Sequence, residues 1–150
     1  MYFVAKLSRV LSLESRKNVD LNRDYKFKHS QQTWTGVPIM ASNMDGVGTI
    51  AMAKSLYDHR LFTCLVKSYT EDQFEDLTSS IGGNYFAVST GTGERDLERL
   101  TAILDYYPFP MIQYICVDVA NDYRQQLIKA KSYRDAIKLI EDSKQDISEM

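Results

Sequence analysis

Two ionisable residues directly follow apolar runs. Lys67 follows Phe62-Thr63-Cys64-Leu65-Val66, and Asp118 follows Tyr114-Ile115-Cys116-Val117. If the runs are buried strands, both residues stand where strands end, the usual place for ligands in open and closed α/β sheets. A cation and an acid at two such ends suit either a polar ligand mouth, with the acid bonding ribose hydroxyls, or a structural ion pair. Gly46-Val47-Gly48-Thr49-Ile50-Ala51 matches the G-x-G-x-x-A pattern of dinucleotide-binding turns. Here, however, Asn43, Met44 and Asp45 separate the glycines from the preceding apolar run, and the next run ends at Lys67 rather than at an acid. The motif is therefore weak, and the glycines are expected simply to let the chain turn sharply into the helix. Ser89-Thr90-Gly91-Thr92-Gly93 could offer N–H groups and hydroxyls to a phosphate at a helix N-terminus, or form an ordinary loop.

The two cysteines, Cys64 and Cys116, lie inside apolar runs. They read as buried, reduced thiols, without the electropositive, exposed setting of a nucleophile. No Cys and His set has zinc spacing. His29 and His59 read as surface residues, and Trp34 and the tyrosines as packing.

These residues must be positioned by a repeating unit. Strands are expected at Val37–Ala41, Leu61–Val66, Tyr85–Val88 and Met111–Val119, and Tyr25–Lys28 alternates like a further short one. Between them Thr49 caps a helix carrying Ile50, Ala53, Leu56 and Tyr57. Thr70 and Gln73 have capping-box spacing ahead of Phe74, Leu77 and Ile81. Glu94 and Asp96 open a helix with the stripe Leu97, Leu100, Ile103 and Leu104, ended by Pro108 and Pro110. Tyr123 to Glu141 reads as a last helix, with a polar tail over 142–150. Apolar strands separated by amphipathic helices imply a parallel sheet covered by helices, either doubly wound or part of a (β/α)8 barrel.

The chain has 150 residues, 44% hydrophobic and 25% charged, with net charge −2, which suits one soluble domain. No basic field is present to make nucleic acid the main partner. No signal peptide or membrane span is expected, and the compartment is expected to be the cytoplasm.

The segment Gln32 to Thr49, through Gly36-Val37-Pro38-Ile39-Met40-Ala41-Ser42-Asn43-Met44-Asp45, resembles the first barrel strand and loop of the GMP reductases. Ser15-Arg16 with Val19-Asp20-Leu21, Phe62-Thr63 with Lys67 and Tyr69, Val88 to Thr92 and Tyr114 to Asn121 add to the likeness, in family order over residues 10 to 123. IMP dehydrogenases share this barrel and are the alternative. The uninterrupted run from Lys67 into a helix, and Asn43 before Met44-Asp45, favour the reductase.

The resemblance implies a partial (β/α)8 TIM barrel of about four βα units, preceded by an N-terminal arm over 1–36 and forming the N-terminal half of the family's barrel. It implies NADPH-dependent reductive deamination of GMP to IMP and ammonia, with potassium as a further family ligand. By position, Ser42, Asn43 and Met44 are expected beneath the nucleotide. Lys67 is expected to contact the cofactor and to assist proton transfer with Asp118. Asp118, Val119 and Ala120 are expected to hold the nicotinamide ribose, and Ser15 and Arg16 to reach the NADPH of a neighbouring subunit. The family's nucleophilic cysteine loop and potassium ligands fall beyond the matching half. The chain is therefore expected to be inactive alone and to self-associate or pair with a complementing half.

Overall fold

The computed structural model describes residues 15–28, 30–118 and 126–129, together with 137, 138 and 140. An antiparallel hairpin opens it. Strand β1 (Arg23–Lys26) pairs with β2 (Thr33–Gly36), with Tyr25 opposite Trp34. The alternation at Tyr25–Lys28 is thus a real strand, shifted towards the N-terminus, and its partner was not foreseen.

Three βα units and a fourth strand follow: β3 (Met40–Ala41), α1 (Ile50–Tyr57), β4 (Phe62–Cys64), α2 (Phe74–Ser80), β5 (Phe86–Thr90), α3 (Glu94–Tyr106) and β6 (Tyr114–Val117). Strands β3 to β6 are all parallel and lie in chain order. A doubly wound sheet reverses its order at a switch point; these strands do not. The sheet is a singly wound α/β layer, compatible with part of a TIM barrel.

The strand interiors explain this winding. Side chains alternate between faces. Leu65, Phe86, Val88, Ile115 and Val117 join Ala53, Phe74, Leu77, Leu100, Ile103 and Leu104 in one core, so the helices cover one face. Phe62, Cys64, Ala87, Tyr114 and Cys116 point to the other face, where Trp34 and Phe27 meet them. A bare inner face is the expectation for four strands of a barrel. Instead the hairpin lies across it: Trp34 stands edge-on to Phe62 and Tyr85, at 5.9 and 6.1 Å, and its indole N–H donates to the Asn84 carbonyl at 2.9 Å.

The helix boundaries follow their capping residues. The Thr49 hydroxyl accepts from the Met52 amide at 3.1 Å. The capping box of Thr70 and Gln73 is formed, opening a 3-10 turn over Glu71–Gln73 that leads into α2.

One expectation fails. Residues 126–129, placed in the final helix, form strand β7 (Gln126–Lys129), antiparallel to β6 with Val117 opposite Gln126. The apolar Leu127-Ile128 pair suits a strand as well as one turn of a helix, and an open β6 edge offers it a ladder of hydrogen bonds. Ile137 and Ile140 do fall in helical positions, with Ile140 buried. The polar tail lies outside the described residues. No helix among the described residues is long and apolar enough to cross a membrane.

Candidate functional site

The carboxyl ends of β3 to β6 present their loops together. The decisive contact joins the outermost two: Asn43 Nδ2 donates to Asp118 Oδ2 at 2.8 Å. In a flat sheet three strand spacings would separate these ends by about 14 Å, beyond the reach of two short side chains. The hydrogen bond therefore gathers the loop after β3 with the end of β6 at one mouth. Asp118 is also fixed through its backbone, its N–H donating to the Thr90 carbonyl at 2.8 Å.

Lys67 lies three residues past β4, exposed, in a turn pinned by the Val66 N–H donating to the Gly48 carbonyl at 2.9 Å. The Lys67–Asp118 ion pair weighed from spacing is not formed. Asp118 is bonded to Asn43, and the ion pair seen among the described residues is Lys54–Asp76 at 2.6 Å, tying α1 to α2 on the surface. Ser42 and Met44 are exposed in the loop that carries Asn43. Ser15 caps the 3-10 turn Arg16–Asn18 by accepting from the Lys17 amide at 3.2 Å, and Arg16 is exposed. Val119 and Ala120 lie outside the described residues, as do Asn121 and His29.

Gly48 has a mechanical role. A Cβ there would collide with the carbonyl oxygens of Cys64 and Ser42, so only glycine lets the loop press against β4. Gly46 holds φ +77° in open space, a left-handed turn. Both observations fit the turning role of the glycines.

The phosphate reading of Ser89–Gly93 meets two obstacles. Strand β5 runs on through Thr90, so Ser89 and Thr90 are fully buried instead of displayed in a loop. A Cβ on Gly91 would strike the Asp96 carboxylate, so the helix's own acid fills the space beside the loop.

The cysteines face inward as thiols. Each is 2% exposed. Cys64 donates towards Cys116, and that contact together with burial pushes the Cys64 thiol well above its ordinary range. Its sulfur also lies 3.3 Å from the Met40 sulfur. Such a buried thiol is a poor nucleophile.

Arg99 and the bonding role of Tyr69 escaped sequence reasoning. Arg99, on α3, donates to the carbonyls of Tyr69 (2.9 Å) and Ser89, while the Ile50 amide donates to the Tyr69 hydroxyl at 3.3 Å. Burial pulls the guanidinium below its ordinary pKa and Asp96, one turn earlier, pulls it back up. The available signal was a cation next to the buried Leu100, one turn after an acid.

No family model matches the chain. Among curated proteins it is 39% identical over 121 residues to "GMP reductase" of Caenorhabditis elegans, covering 79% of this chain and 33% of that protein. It is 42% identical over 120 residues to "GMP reductase 2" of Homo sapiens, covering 79% and 34%. It is 38% identical over 135 residues to "GMP reductase" of Tolumonas auensis, covering 88% and 37%. The chain spans about a third of the length of the curated relatives it matches. At this identity over 79–88% of its own length, the chain is a homologue of the GMP reductases, matching one part of their length.

Proposed function

We propose that this chain supplies the cofactor-contacting side of a GMP reductase, an oxidoreductase converting GMP and NADPH to IMP, ammonia and NADP. The reading rests on the Asn43–Asp118 hydrogen bond, which brings the expected substrate loop and the expected ribose-binding acid to one mouth. In this reading the sheet is part of a (β/α)8 barrel. Ser42, Asn43 and Met44 support the nucleotide. Asp118 bonds the nicotinamide ribose, with Val119 and Ala120 beside it. Lys67 contacts the cofactor and serves proton transfer, and Ser15 and Arg16 reach a neighbouring subunit's cofactor.

The nicotinamide supplies the hydride; the chain's own residues bind, orient and move protons. Asn43 and Asp118 fit a ribose because together they offer an N–H donor and carboxylate acceptors at a half-buried position. The exposed Lys67 ammonium, at the end of a neighbouring strand, suits an anionic dinucleotide. A nucleophilic cysteine must come from elsewhere, since Cys64 and Cys116 are buried inside the sheet. The working unit is then this chain with a complementing chain, in the cytoplasm, and self-association is the state of the chain without that partner.

The test is NADPH oxidation, followed by absorbance. GMP and this chain alone should give no turnover. Adding a chain that carries the remaining two thirds of a family member should start it. A mixture that forms a complex yet stays silent would overturn the enzymatic reading. One observation favours a second reading, a non-catalytic fragment that binds family subunits. The antiparallel β7 stands beside β6, where a continuing barrel would place its next parallel strand. Under that reading the chain co-purifies with an intact reductase and lowers its activity.

A further inference from the structure

We propose that Arg99 is a positioning residue which, together with Tyr69, ties the loop after β4 to the carboxyl end of β5 and to the first residue of α1, fixing one side of the mouth. The proposal deepens the reading of that mouth as a nucleotide site and rests on it for its ligand. The bracket itself is purely geometric. From α3, one guanidinium nitrogen donates to the Tyr69 carbonyl at 2.9 Å and the other to the Ser89 carbonyl. The first carbonyl belongs to the loop after β4, the second to the last turnings of β5. The Tyr69 ring then carries the link onward. Its hydroxyl accepts from the amide of Ile50, the first residue of α1, at 3.3 Å. The loop after β4, the end of β5 and the start of α1 are thus joined through two side chains.

The choice of arginine follows from the geometry. Two carbonyls on separate segments must be met at once by one charged group. A planar fork with fixed donors does this, whereas an ammonium on a flexible stem reaches one carbonyl and leaves the other unpaired. Among the described residues no carboxylate lies within ion-pair distance of Arg99. Asp96 acts on it only at longer range. Its strong N–H groups therefore go to the main chain, the arrangement of a brace and not of a surface ion pair.

The consequence falls on Lys67. Strand β4 holds the chain on one side of it, and Tyr69 holds it two residues later by its carbonyl and its hydroxyl. The exposed ammonium thus rises from a base fixed at both ends. Asn43, seven residues before Ile50, gains the same support through α1. Arg99 touches no ligand and acts through these residues.

Hydrogen exchange of the full chain tests the bracket. Segments 66–70 and 89–93 report on the gripped loop after β4 and on the gripped end of β5, and 114–117 serves as reference. In Arg99→Gln both loop segments should exchange about tenfold faster while the reference keeps its protection. Arg99→Lys should rescue one loop at most. Tyr69→Phe should loosen the start of α1 and leave 89–93 unchanged. A parallel NADPH titration should show about tenfold weaker binding for Arg99→Gln than for the parent chain. Exchange rising equally everywhere, both loops keeping full protection, or full rescue of both by lysine would each overturn the bracket. If Arg99→Gln fails to fold, the lysine and Tyr69→Phe variants decide by the same criteria. If the parent chain itself binds no NADPH, the nucleotide reading fails, and the exchange pattern still judges the bracket.

Discussion

At the scale of single residues, the inner face of the sheet buries two thiols and a tyrosine, with the half-exposed Met40 thioether at its edge. Cys64 and Tyr114 are both held in their protonated forms, the first by Cys116 and burial, the second by burial and then Tyr85. The sign of the pH dependence follows. An unfolded thiol loses its proton near pH 8.5 and an unfolded tyrosine near pH 10, while the folded groups keep theirs. This stability is fully present below about pH 8.5. It falls as pH rises further, by up to about 1.4 kcal/mol per pH unit for each titrating group. Urea midpoints at pH 7.5 and 9.5 should show the drop, and Cys64→Ala should flatten its first part. At the mouth, Asn43→Ala removes a hydrogen bond to a half-buried carboxylate. It should cost about 1.5–3 kcal/mol of stability, measured by the same titration at pH 7.5.

At the scale of elements, the two glycines of the loop after β3 separate by mechanism. Gly48→Ala drives a methyl group into the carbonyls of Cys64 and Ser42, and Gly46→Ala enters open space at a positive φ. The second should cost about 1–2 kcal/mol through backbone strain. The first should cost more, because main chain cannot step aside as a side chain can. Thermal melting of both variants checks the order; equal losses would mean that the loop is free to lift off β4. In α3, Leu100→Ala at a fully buried site should cost about 2–5 kcal/mol.

At the scale of the whole molecule, β3 forms one edge of the sheet and β7 the other. Beside β3 the apolar surface stays open: Ile39 is 61% and Met40 50% exposed, and both line a cavity of about 400 Å³ with Tyr25, Phe27, Trp34 and Phe62. An edge strand flanked by exposed apolar side chains favours association. Light scattering over a concentration series should show mass above that of one chain, and Ile39→Lys combined with Met40→Lys should reduce it. A monodisperse monomer of the parent chain at every concentration would argue against self-association and leave the complementing chain as the partner to seek.

The sequence by itself determined what depends on local pattern. Thr49, Thr70 and Gln73 named their caps, and the stripe Leu100, Ile103 and Leu104 named its buried face. Lys67 and Asp118 were marked as strand-end residues because burial of the runs before them was plain. The tertiary structure alone decided what depends on distance in space. Strand order chose the singly wound sheet, since apolar strands read alike in either winding. Tertiary packing brought Asn43 to Asp118, 75 positions apart, and left Lys67 without its supposed carboxylate. The open β6 edge turned residues 126–129 into a strand, and α3 aimed Arg99 at two carbonyls. These contacts join segments distant in sequence, and no periodicity within one segment records what another segment will offer it.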